Sequence, residues 1–285
     1  MTQQVAVIGY PLRHSISPRF QQPAFDALGL DVRYTARETP PEELSRLMAE
    51  LRQPPWLGLN VTVPHKQAVL PYLDELSPEA RRIGAVNTIH CVGGRLLGYN
   101  TDAPGVIRAL RQDLAFEPRG ARAVLLGAGG SARAVAVALL DAGVRSLIIL
   151  NRHSERAVAL AADLRAGLSA AVPVEGGPAT PEAITTALAQ ADLLVNCTTV
   201  GMRHGPAEGS MPVPPQALRP TLAVYDLVYN PRVTPLVATA RAAGAPAQGG
   251  LSMLVYQGAI SFEIWTGRPA PLEVMRQAAE VALPE

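Results

Sequence analysis

Short runs of apolar residues alternate along most of the chain with segments of helical periodicity, a pattern typical of α/β proteins with mainly parallel sheets. In the first hundred residues, three such runs predict strands: VAVIG (5–9), VRYTARE (32–38) and LGLNVTV (57–63). Helices are expected between them, over residues 18–28 and 41–51, and another is expected to begin near Pro64. The stretch AVNTIHCVGGRLLGYNTD (85–102) predicts two strands joined at a Gly-Gly turn. Up to Asp102 the pattern describes one unit.

The second half has the βαβ rhythm of a nucleotide-binding domain. A helix is expected from Pro104, and RAVLLGAGGSARAVAVALLDAG (122–143) predicts a buried strand, a glycine turn and a helix. Further strands are predicted at SLIILNR (146–152), LLVNCT (193–198) and AVYDLVYN (223–230). Residues 201–220, rich in Gly and Pro, predict a long loop. The helical patterns around residues 252–267 and 271–283 are not needed by this domain, so we expect them to pack on the first unit.

Composition narrows the class of protein. The chain has 285 residues, 48% of them hydrophobic and 17% charged, which suits two ordinary domains with their own cores. A formal net charge of +1 gives no electrostatic reason to expect nucleic acid or an anionic membrane. The N-terminus lacks a basic leader and no apolar run approaches membrane-spanning length, so we expect a cytoplasmic protein. The oligomeric state stays open, with a homodimer among the arrangements allowed. The five histidines are scattered, and no metal is expected.

The turn GAGGSA (127–132) has the G-x-G-x-x-A form of a dinucleotide-binding fingerprint. Its position between a predicted strand and a predicted helix makes the motif more specific, although a turn needed only for packing would look the same. Arg133 lies in the first turn of that helix, where the helix dipole disfavours a cation unless an anion is bound nearby. A solvated surface arginine explains Arg133 equally well.

The end of the next predicted strand indicates which dinucleotide is bound. An NAD enzyme places an acidic residue there for the ribose hydroxyl, whereas this chain has Asn151 and Arg152, with Arg156 one turn further on. Two guanidinium groups suit a 2′-phosphate through charge-assisted hydrogen bonds, which favours NADP. Glu155, in the same segment, argues in the other direction.

The first loop contains HSISP (14–18), with two hydroxyls placed one residue apart. Ser17 before Pro18 is explained structurally as a helix N-cap followed by the first helical residue. Ser15 has no such explanation. Two hydroxyls beside a helix N-terminus can also bind a carboxylate, and the sequence leaves both interpretations open for Ser17.

Lys66 is the only lysine among the 25 Lys and Arg residues of the chain. Chance retention in an arginine-rich sequence is one explanation. The other is proton transfer, because lysine can release a proton and arginine cannot at any workable pH. Lys66 follows Pro64 near the predicted start of a helix, where the dipole disfavours the protonated lysine and makes it a better proton carrier near neutrality. Asp102 is either a turn residue or the partner carboxylate of this lysine.

Together these motifs resemble the shikimate dehydrogenase family. Nine blocks occur in the family's order between about Gly9 and Gly267: HSISP, NVTVPHK, GAVNT, GYNTD, GAGGSAR, NRHSER, NCTTVGM, YDLVYNPRVTPL and QGAISFEIWTG. The resemblance implies an N-terminal α/β substrate domain with a mainly parallel sheet (residues 1–102 plus 240–285) and a Rossmann-type NADP-binding domain (residues 103–239). It also implies reversible reduction of 3-dehydroshikimate to shikimate, a step of the aromatic-precursor (chorismate) pathway.

The resemblance further assigns roles to individual residues. Lys66 and Asp102 would flank the reacting oxygen, and chance retention of Lys66 becomes the weaker account. The carboxylate would be held by Ser15 and Ser17, helped by Tyr229. The residues implied for the ring hydroxyls are Thr62, Asn87 and Gln257. Those implied for the cofactor are Gly127, Ala128, Gly129, Gly130, Ser131, Asn151, Arg152, Arg156, Val228 and Gly250.

The chain departs from the family's sequence pattern at one position, and two alternative functions remain open. Many members have Asn-Arg-Thr where this chain has His153 in third place, which removes a hydroxyl contact to the 2′-phosphate. A relative that also accepts quinate, or uses NAD, is one alternative. Quinate carries an extra hydroxyl beside its carboxylate, so Ser17 favours shikimate. The other alternative is a non-catalytic NADP-binding regulator on the same fold, against which the retention of Lys66 and Asp102 argues.

Overall fold

The computed structural model of this protein describes residues 1–12, 15–167 and 172–283, and its strands form two six-stranded sheets. The chain divides into two units, residues 1–105 with 255–283 and residues 106–254. The sequence placed the second boundary earlier, at 239/240. Residues 247–248 instead form an edge strand of the second sheet, so the segment before residue 255 stays with the second unit.

The first sheet is mixed but mainly parallel, with the strand order β2-β1-β3-β5-β6-β4. Its strands are β1 (Gln3–Gly9), β2 (Val32–Glu38), β3 (Trp56–Val61), β4 (Glu75–Leu76), β5 (Thr88–Val92) and β6 (Arg95–Tyr99). Pairs β1–β2, β1–β3 and β4–β6 are parallel, whereas β5 pairs antiparallel with β3 and with β6. The hairpin predicted at the Gly-Gly turn is therefore confirmed.

Five helices lie between and after these strands. They are α1 (Ser17–Ala27), α2 (Leu44–Glu50), α3 (His65–Ala68), α4 (Pro78–Ile83) and α5 (Asp102–Gln112), with 3-10 turns at Pro41–Glu43 and Leu70–Tyr72. Leu47 and Met48 of α2 pack on Ile8 and Leu59 of the sheet in one buried cluster. The helix expected from Pro64 is only one turn long. A single turn has too few aligned peptides to build the dipole that the sequence argument assigned to it.

The second unit has an entirely parallel sheet, as predicted, with the order β12-β11-β10-β7-β8-β9. Its strands are β7 (Arg122–Leu126), β8 (Ser146–Asn151), β9 (Val174–Pro178), β10 (Leu193–Asn196), β11 (Ala223–Asp226) and β12 (Ala247–Gln248). Its helices are α6 (Gly130–Asp141), α7 (Ser154–Gly167), α8 (Pro181–Leu188) and α9 (Pro235–Ala242). The predicted loop 201–220 contains only a 3-10 turn at Pro215–Ala217. Strand order reverses between β10 and β7, where α/β sheets of this kind bind nucleotides.

Two C-terminal helices, α10 (Leu251–Thr266) and α11 (Leu272–Ala282), complete the helical elements. Within the first unit, Phe262 of α10 packs on Phe25 of α1 in a tilted arrangement, with ring centroids 4.8 Å apart. The indole Nε1 of Trp265 donates to the carbonyl of Ile89 in β5 at 2.9 Å. The prediction that these segments pack on the first unit is confirmed. No helix in the described ranges is long and apolar enough to cross a membrane.

Candidate active site

A buried ion pair lies where β3 and β6 end. Lys66 Nζ is 2.5 Å from Asp102 Oδ2, and the two side chains are 11% and 7% exposed. Lys66 lies on α3, just after β3, and Asp102 is the first residue of α5, just after β6. The charged neighbour of Lys66 is thus a carboxylate, and not the end of a helix dipole as the sequence suggested.

Asn100 fixes the backbone that carries Asp102. Its side-chain oxygen accepts hydrogen bonds from the backbone N–H groups of Asp102 (3.1 Å) and Ala103 (3.4 Å). Its amide nitrogen donates to the carbonyl of Ala85 at 3.0 Å. Asn100 therefore satisfies the first N–H groups of α5 and ties them to the segment before β5. It belongs to the GYNTD block, but no separate signal in the sequence indicated this role.

Asn87 joins the ion pair to α10. Its amide nitrogen donates to Asp102 Oδ1 at 2.9 Å and to Gln257 Oε1 at 3.2 Å. The same nitrogen lies 2.8 Å from Thr101 Oγ1. The fold thus brings together four of the predicted site residues, Lys66, Asn87, Asp102 and Gln257, although Gln257 is distant from the others in sequence.

A second layer of polar side chains lies beneath Asn87 and is fully buried. Ser261 Oγ lies 2.7 Å from Thr88 Oγ1 and 3.2 Å from Thr101 Oγ1, and it receives a hydrogen bond of 3.1 Å from Asn60 Nδ2. Tyr34 donates its hydroxyl to Asn60 Oδ1 at 2.7 Å, and burial raises the pKa of this tyrosine. These contacts satisfy polar groups that would be costly to bury alone. Tyr34 and Ser261 gave no signal in the sequence. Tyr34 lies in a predicted strand and Ser261 in a predicted helix, and neither stands out there as a site residue.

The two serines of the first loop lie together, but their local roles differ from the prediction. Ser17 is the first residue of α1, and the N-cap position is Ile16, without a capping side chain. Ser15 Oγ accepts a hydrogen bond from the N–H of Ser17 and donates one to Ser17 Oγ, both at 3.3 Å. The N-cap prediction for Ser17 is therefore wrong, and Ser15 has the structural explanation that it was thought to lack. His14 of this motif lies outside the described residues.

Thr62 lies directly after β3 and faces the turn at Gly9. Its backbone N–H donates to the carbonyl of Ile8 at 2.8 Å, and its carbonyl accepts from the N–H of His65 at 2.9 Å. A Cβ at Gly9 would come within 2.5 Å of the Thr62 methyl group. Its hydroxyl makes no hydrogen bond to any other described residue.

In the second unit, the glycine fingerprint forms the turn between β7 and α6. Gly127 has φ +105°, a conformation that L side chains rarely adopt, and its N–H donates to the carbonyl of Leu150 at 2.8 Å. A Cβ there would also come within 3.2 Å of the Cys197 carbonyl. Gly129 is the N-cap residue of α6, and no atom beyond its chain neighbours lies within 4 Å of the position of its missing Cβ. The turn therefore has open space at the N-terminus of α6, where backbone N–H groups suit a pyrophosphate.

The segment after β8 carries exposed cations. Asn151, the last residue of the strand, donates its amide to the carbonyl of His153 at 3.0 Å. Arg152 and Arg156 are exposed, and among the described residues neither guanidinium has a hydrogen-bond or ion-pair partner. Glu155, which argued against NADP, lies with its carboxylate 3.7 Å from His153 Nδ1. Arg133 pairs with Asp163 of α7 at 2.9 Å.

Val228, Tyr229 and Gly250 lie in segments that follow β11 and β12. The N–H of Gly250 donates to the carbonyl of Val228 at 3.1 Å, so two predicted cofactor residues contact each other. A Cβ on Gly250 would collide with the Leu227 carbonyl oxygen, so this position requires glycine. Tyr229 is half-buried and belongs to the second unit.

A parallel sheet with a glycine turn after its first strand, together with a buried Lys–Asp pair among amides and hydroxyls, defines a dinucleotide-dependent oxidoreductase. Comparison with known proteins gives the family. Three family profiles match: the shikimate dehydrogenase substrate binding domain over residues 7–89, shikimate / quinate 5-dehydrogenase over residues 110–209, and the shikimate 5'-dehydrogenase C-terminal domain over residues 250–280. The chain belongs to the shikimate dehydrogenase family.

Individual relatives cover almost the whole chain. The shikimate dehydrogenase (NADP(+)) of Moorella thermoacetica is 47% identical over 99% of this chain and 94% of its own length. The Thermus thermophilus shikimate 5-dehydrogenase, solved with NADP(H) and shikimate, is 40% identical, with a TM-score of 0.86 over 99% of this chain and 100% of its own. A quinate dehydrogenase from Corynebacterium glutamicum, solved with NAD, is 31% identical, with a TM-score of 0.84 over 97% of this chain and 98% of its own.

Proposed function

We propose that this protein catalyses the reversible, NADP-dependent reduction of 3-dehydroshikimate to shikimate, a step toward aromatic amino acids. The observation that carries the proposal is the buried Lys66–Asp102 pair, held by Asn87 at the ends of two strands. A carbonyl that is reduced to an alcohol needs a proton on its oxygen. Lysine supplies and recovers a proton, which arginine cannot do at neutral pH.

The chain's own residues divide the proton chemistry. The Lys66 ammonium donates a proton to the substrate oxygen during reduction and takes it back during oxidation. Asp102 holds the lysine at a fixed position through the 2.5 Å contact. Asn87 and the Asn100 cap keep the carboxylate in place. The hydride comes from bound NADPH, and this is the chemistry that the cofactor supplies.

The remaining polar residues bind and orient the substrate. Ser15 and Ser17 present adjacent hydroxyls for the carboxylate. Thr62 offers a hydroxyl that has no described partner, and Asn87 and Gln257 offer amides for the ring hydroxyls. Hydrogen bonds of this kind give large discrimination, because an analogue that lacks a hydroxyl leaves buried polar groups unpaired.

The second unit fits NADP on two independent grounds. The glycine turn leaves open space at Gly129, at the N-terminus of α6, as a pyrophosphate requires. Asn151 lies at the end of β8, and Arg152 and Arg156 are exposed without an ion-pair partner in the described chain, as a 2′-phosphate requires. Val228 and Gly250 complete the proposed cofactor contacts.

The proposed roles of the units follow from these sites. Residues 1–105 with the C-terminal helices hold the substrate, and the second unit holds NADP. A cytoplasmic location and a homodimer remain predictions from the sequence.

Initial rates of cofactor reduction with shikimate or quinate, each with NADP or NAD, test the proposal. We expect the highest kcat/KM for shikimate with NADP. Quinate used as well as shikimate would support the broader alternative, to which the similarity with an NAD-bound quinate dehydrogenase points. Binding of NADP without turnover of either substrate would support a regulator and contradict the proposal.

A further inference from the structure

Asp226 is a buried carboxylate that the proposed chemistry does not use. It is the last residue of β11, it is completely buried, and it makes no ion pair with any described residue. Its Oδ1 accepts hydrogen bonds from Asn196 Nδ2 (2.9 Å) and the N–H of Val228 (3.1 Å). Its Oδ2 accepts one from Thr234 Oγ1 (2.7 Å). Burial raises the pKa of Asp226 to about 6. A buried charge without a cation is costly even with three hydrogen bonds, so the presence of a carboxylate at this position needs an explanation.

Asn196 carries the contact from Asp226 to the loop after β10. With its amide nitrogen on Asp226, its oxygen accepts hydrogen bonds from the N–H (3.1 Å) and the hydroxyl (2.7 Å) of Thr198. Thr198 Oγ1 in turn accepts from the N–H of Val200 at 3.2 Å. The side chain of Asn196 can adopt only the orientation that makes all these bonds, which sets the path of residues 197–200.

The glycine fingerprint packs directly against this loop. A Cβ at Gly127 would lie 3.2 Å from the Cys197 carbonyl and 3.3 Å from the Thr198 methyl group. On the other side of Asp226, Val228 receives the N–H of Gly250 on its carbonyl at 3.1 Å. One carboxylate therefore holds the loops after β10 and β11, and these contact the glycine turn and Gly250.

We propose that Asp226 is a positioning residue for the dinucleotide, which it places through Asn196 on one side and Val228 on the other. The assignment rests on the proposed function, since it assumes that the loops after β10 and β11 line the cofactor. Asp226 itself does not touch the cofactor in this account.

Thr234 provides a matched control. It donates to the same carboxylate, but its oxygen caps α9 by accepting the N–H of Val237 at 3.2 Å, so it belongs to the helix and not to the cofactor loops. Thr234→Val removes one hydrogen bond of the carboxylate and the cap of α9, and it leaves the bonds to Asn196 and Val228. If the network only stabilised the fold, substitutions of Asp226, Asn196 and Thr234 would all affect NADP binding in the same way.

The experiment measures the Kd for NADP by calorimetry and the unfolding temperature without ligand, for wild type and four variants. Asp226→Ala and Asn196→Ala should each weaken NADP binding about tenfold, as expected when hydrogen bonds to a charged group are lost. Thr234→Val should lower the unfolding temperature but change the Kd by less than about twofold. Asp226→Asn should keep a Kd within about twofold of wild type, because its amide oxygen still accepts from Asn196 and Val228 while its nitrogen donates to Thr234 Oγ1.

Two results would overturn the assignment. One is a Kd that is unchanged in Asp226→Ala and Asn196→Ala. The other is a loss of NADP affinity in Thr234→Val as large as in Asp226→Ala and Asn196→Ala, so that affinity simply falls with the unfolding temperature in all three variants. If Asp226→Ala does not fold, Asn196→Ala compared with Thr234→Val decides alone. A wild type that binds no NADP would refute the proposed function and this assignment with it, whereas wild-type binding with unaffected variants refutes the assignment only.

Discussion

Asp226→Asn should change the pH dependence of stability in a direction fixed by burial. In the folded protein the pKa of Asp226 rises from its ordinary value of 3.8 to about 6, first because burial penalises the charge. A raised carboxyl pKa means that the folded state binds the proton more tightly than the unfolded state. The contribution of this group to stability is therefore complete below about pH 4 and is lost as the pH rises through about 6.

The size of the effect follows from that shift. The difference between about 6 and 3.8 corresponds to on the order of 3 kcal/mol, at about 1.4 kcal/mol for each pH unit. Asparagine cannot ionise, and its side-chain oxygen can still accept the hydrogen bonds from Asn196 and Val228. The variant should therefore gain on the order of 3 kcal/mol over wild type in its free energy of unfolding between about pH 3 and pH 7.5.

Urea unfolding of both proteins at several pH values measures this difference. Asp192→Asn is the control, because its ion pair with Arg122 lowers the pKa of Asp192 and the sign reverses. That variant should lose stability relative to wild type as the pH rises. A difference between Asp226→Asn and wild type that does not change with pH would refute the burial argument.

Three further predictions concern the cofactor, the carboxylate and the packing of α10. Replacing both Arg152 and Arg156 by Ala should raise the KM for NADP far more than that for NAD, by about tenfold per arginine, and equal losses would contradict the 2′-phosphate contact. Ser17→Ala should weaken shikimate binding with little loss of stability, whereas Ser15→Ala should reduce both binding and stability, because the Ser15 hydroxyl oxygen accepts the N–H of Ser17. Calorimetry and thermal unfolding separate these effects, and unchanged affinity in both variants would contradict the placement of the carboxylate at this loop. Trp265→Phe should cost about 1–3 kcal/mol of stability by leaving a buried carbonyl unpaired while the Kd for NADP stays unchanged, and a fully stable variant would contradict the role of this hydrogen bond.

The fold was largely predictable, because the apolar runs of this chain are short and well separated. The strands of both sheets that the sequence identified have strong patterns, as in VAVIG and SLIILNR. The two-residue strands β4 and β12 and the glycine-containing β9 have no such pattern and form because a neighbouring strand edge is available. The late domain boundary was missed for the same reason, since only pairing with β11 assigns residues 247–248 to the second sheet.

The site was predictable only where a residue is unusual for its setting. Lys66 stands out as the single lysine, and Asp102 follows from the block that contains it. Asn100, Ser261 and Asp226 gave no signal, because a buried polar side chain is recognised by the partners that the fold places around it. The misassigned cap of Ser17 shows the same limit, since Ser-Pro is also found one position inside a helix.

The turnover of Lys66→Arg with shikimate and NADP, followed across pH, tests the central claim most directly. Arginine keeps the charge beside Asp102 but cannot release a proton, so turnover should fall by about 10²–10⁴-fold. Shikimate affinity should change much less, and Asp102→Asn combined with Lys66→Arg should lose less than the product of the single losses. Arg95→Lys, in an exposed pair with Glu75, is the control and should leave turnover unchanged. Near-normal turnover in Lys66→Arg would mean that the lysine only binds, and it would contradict the proton role on which this account depends.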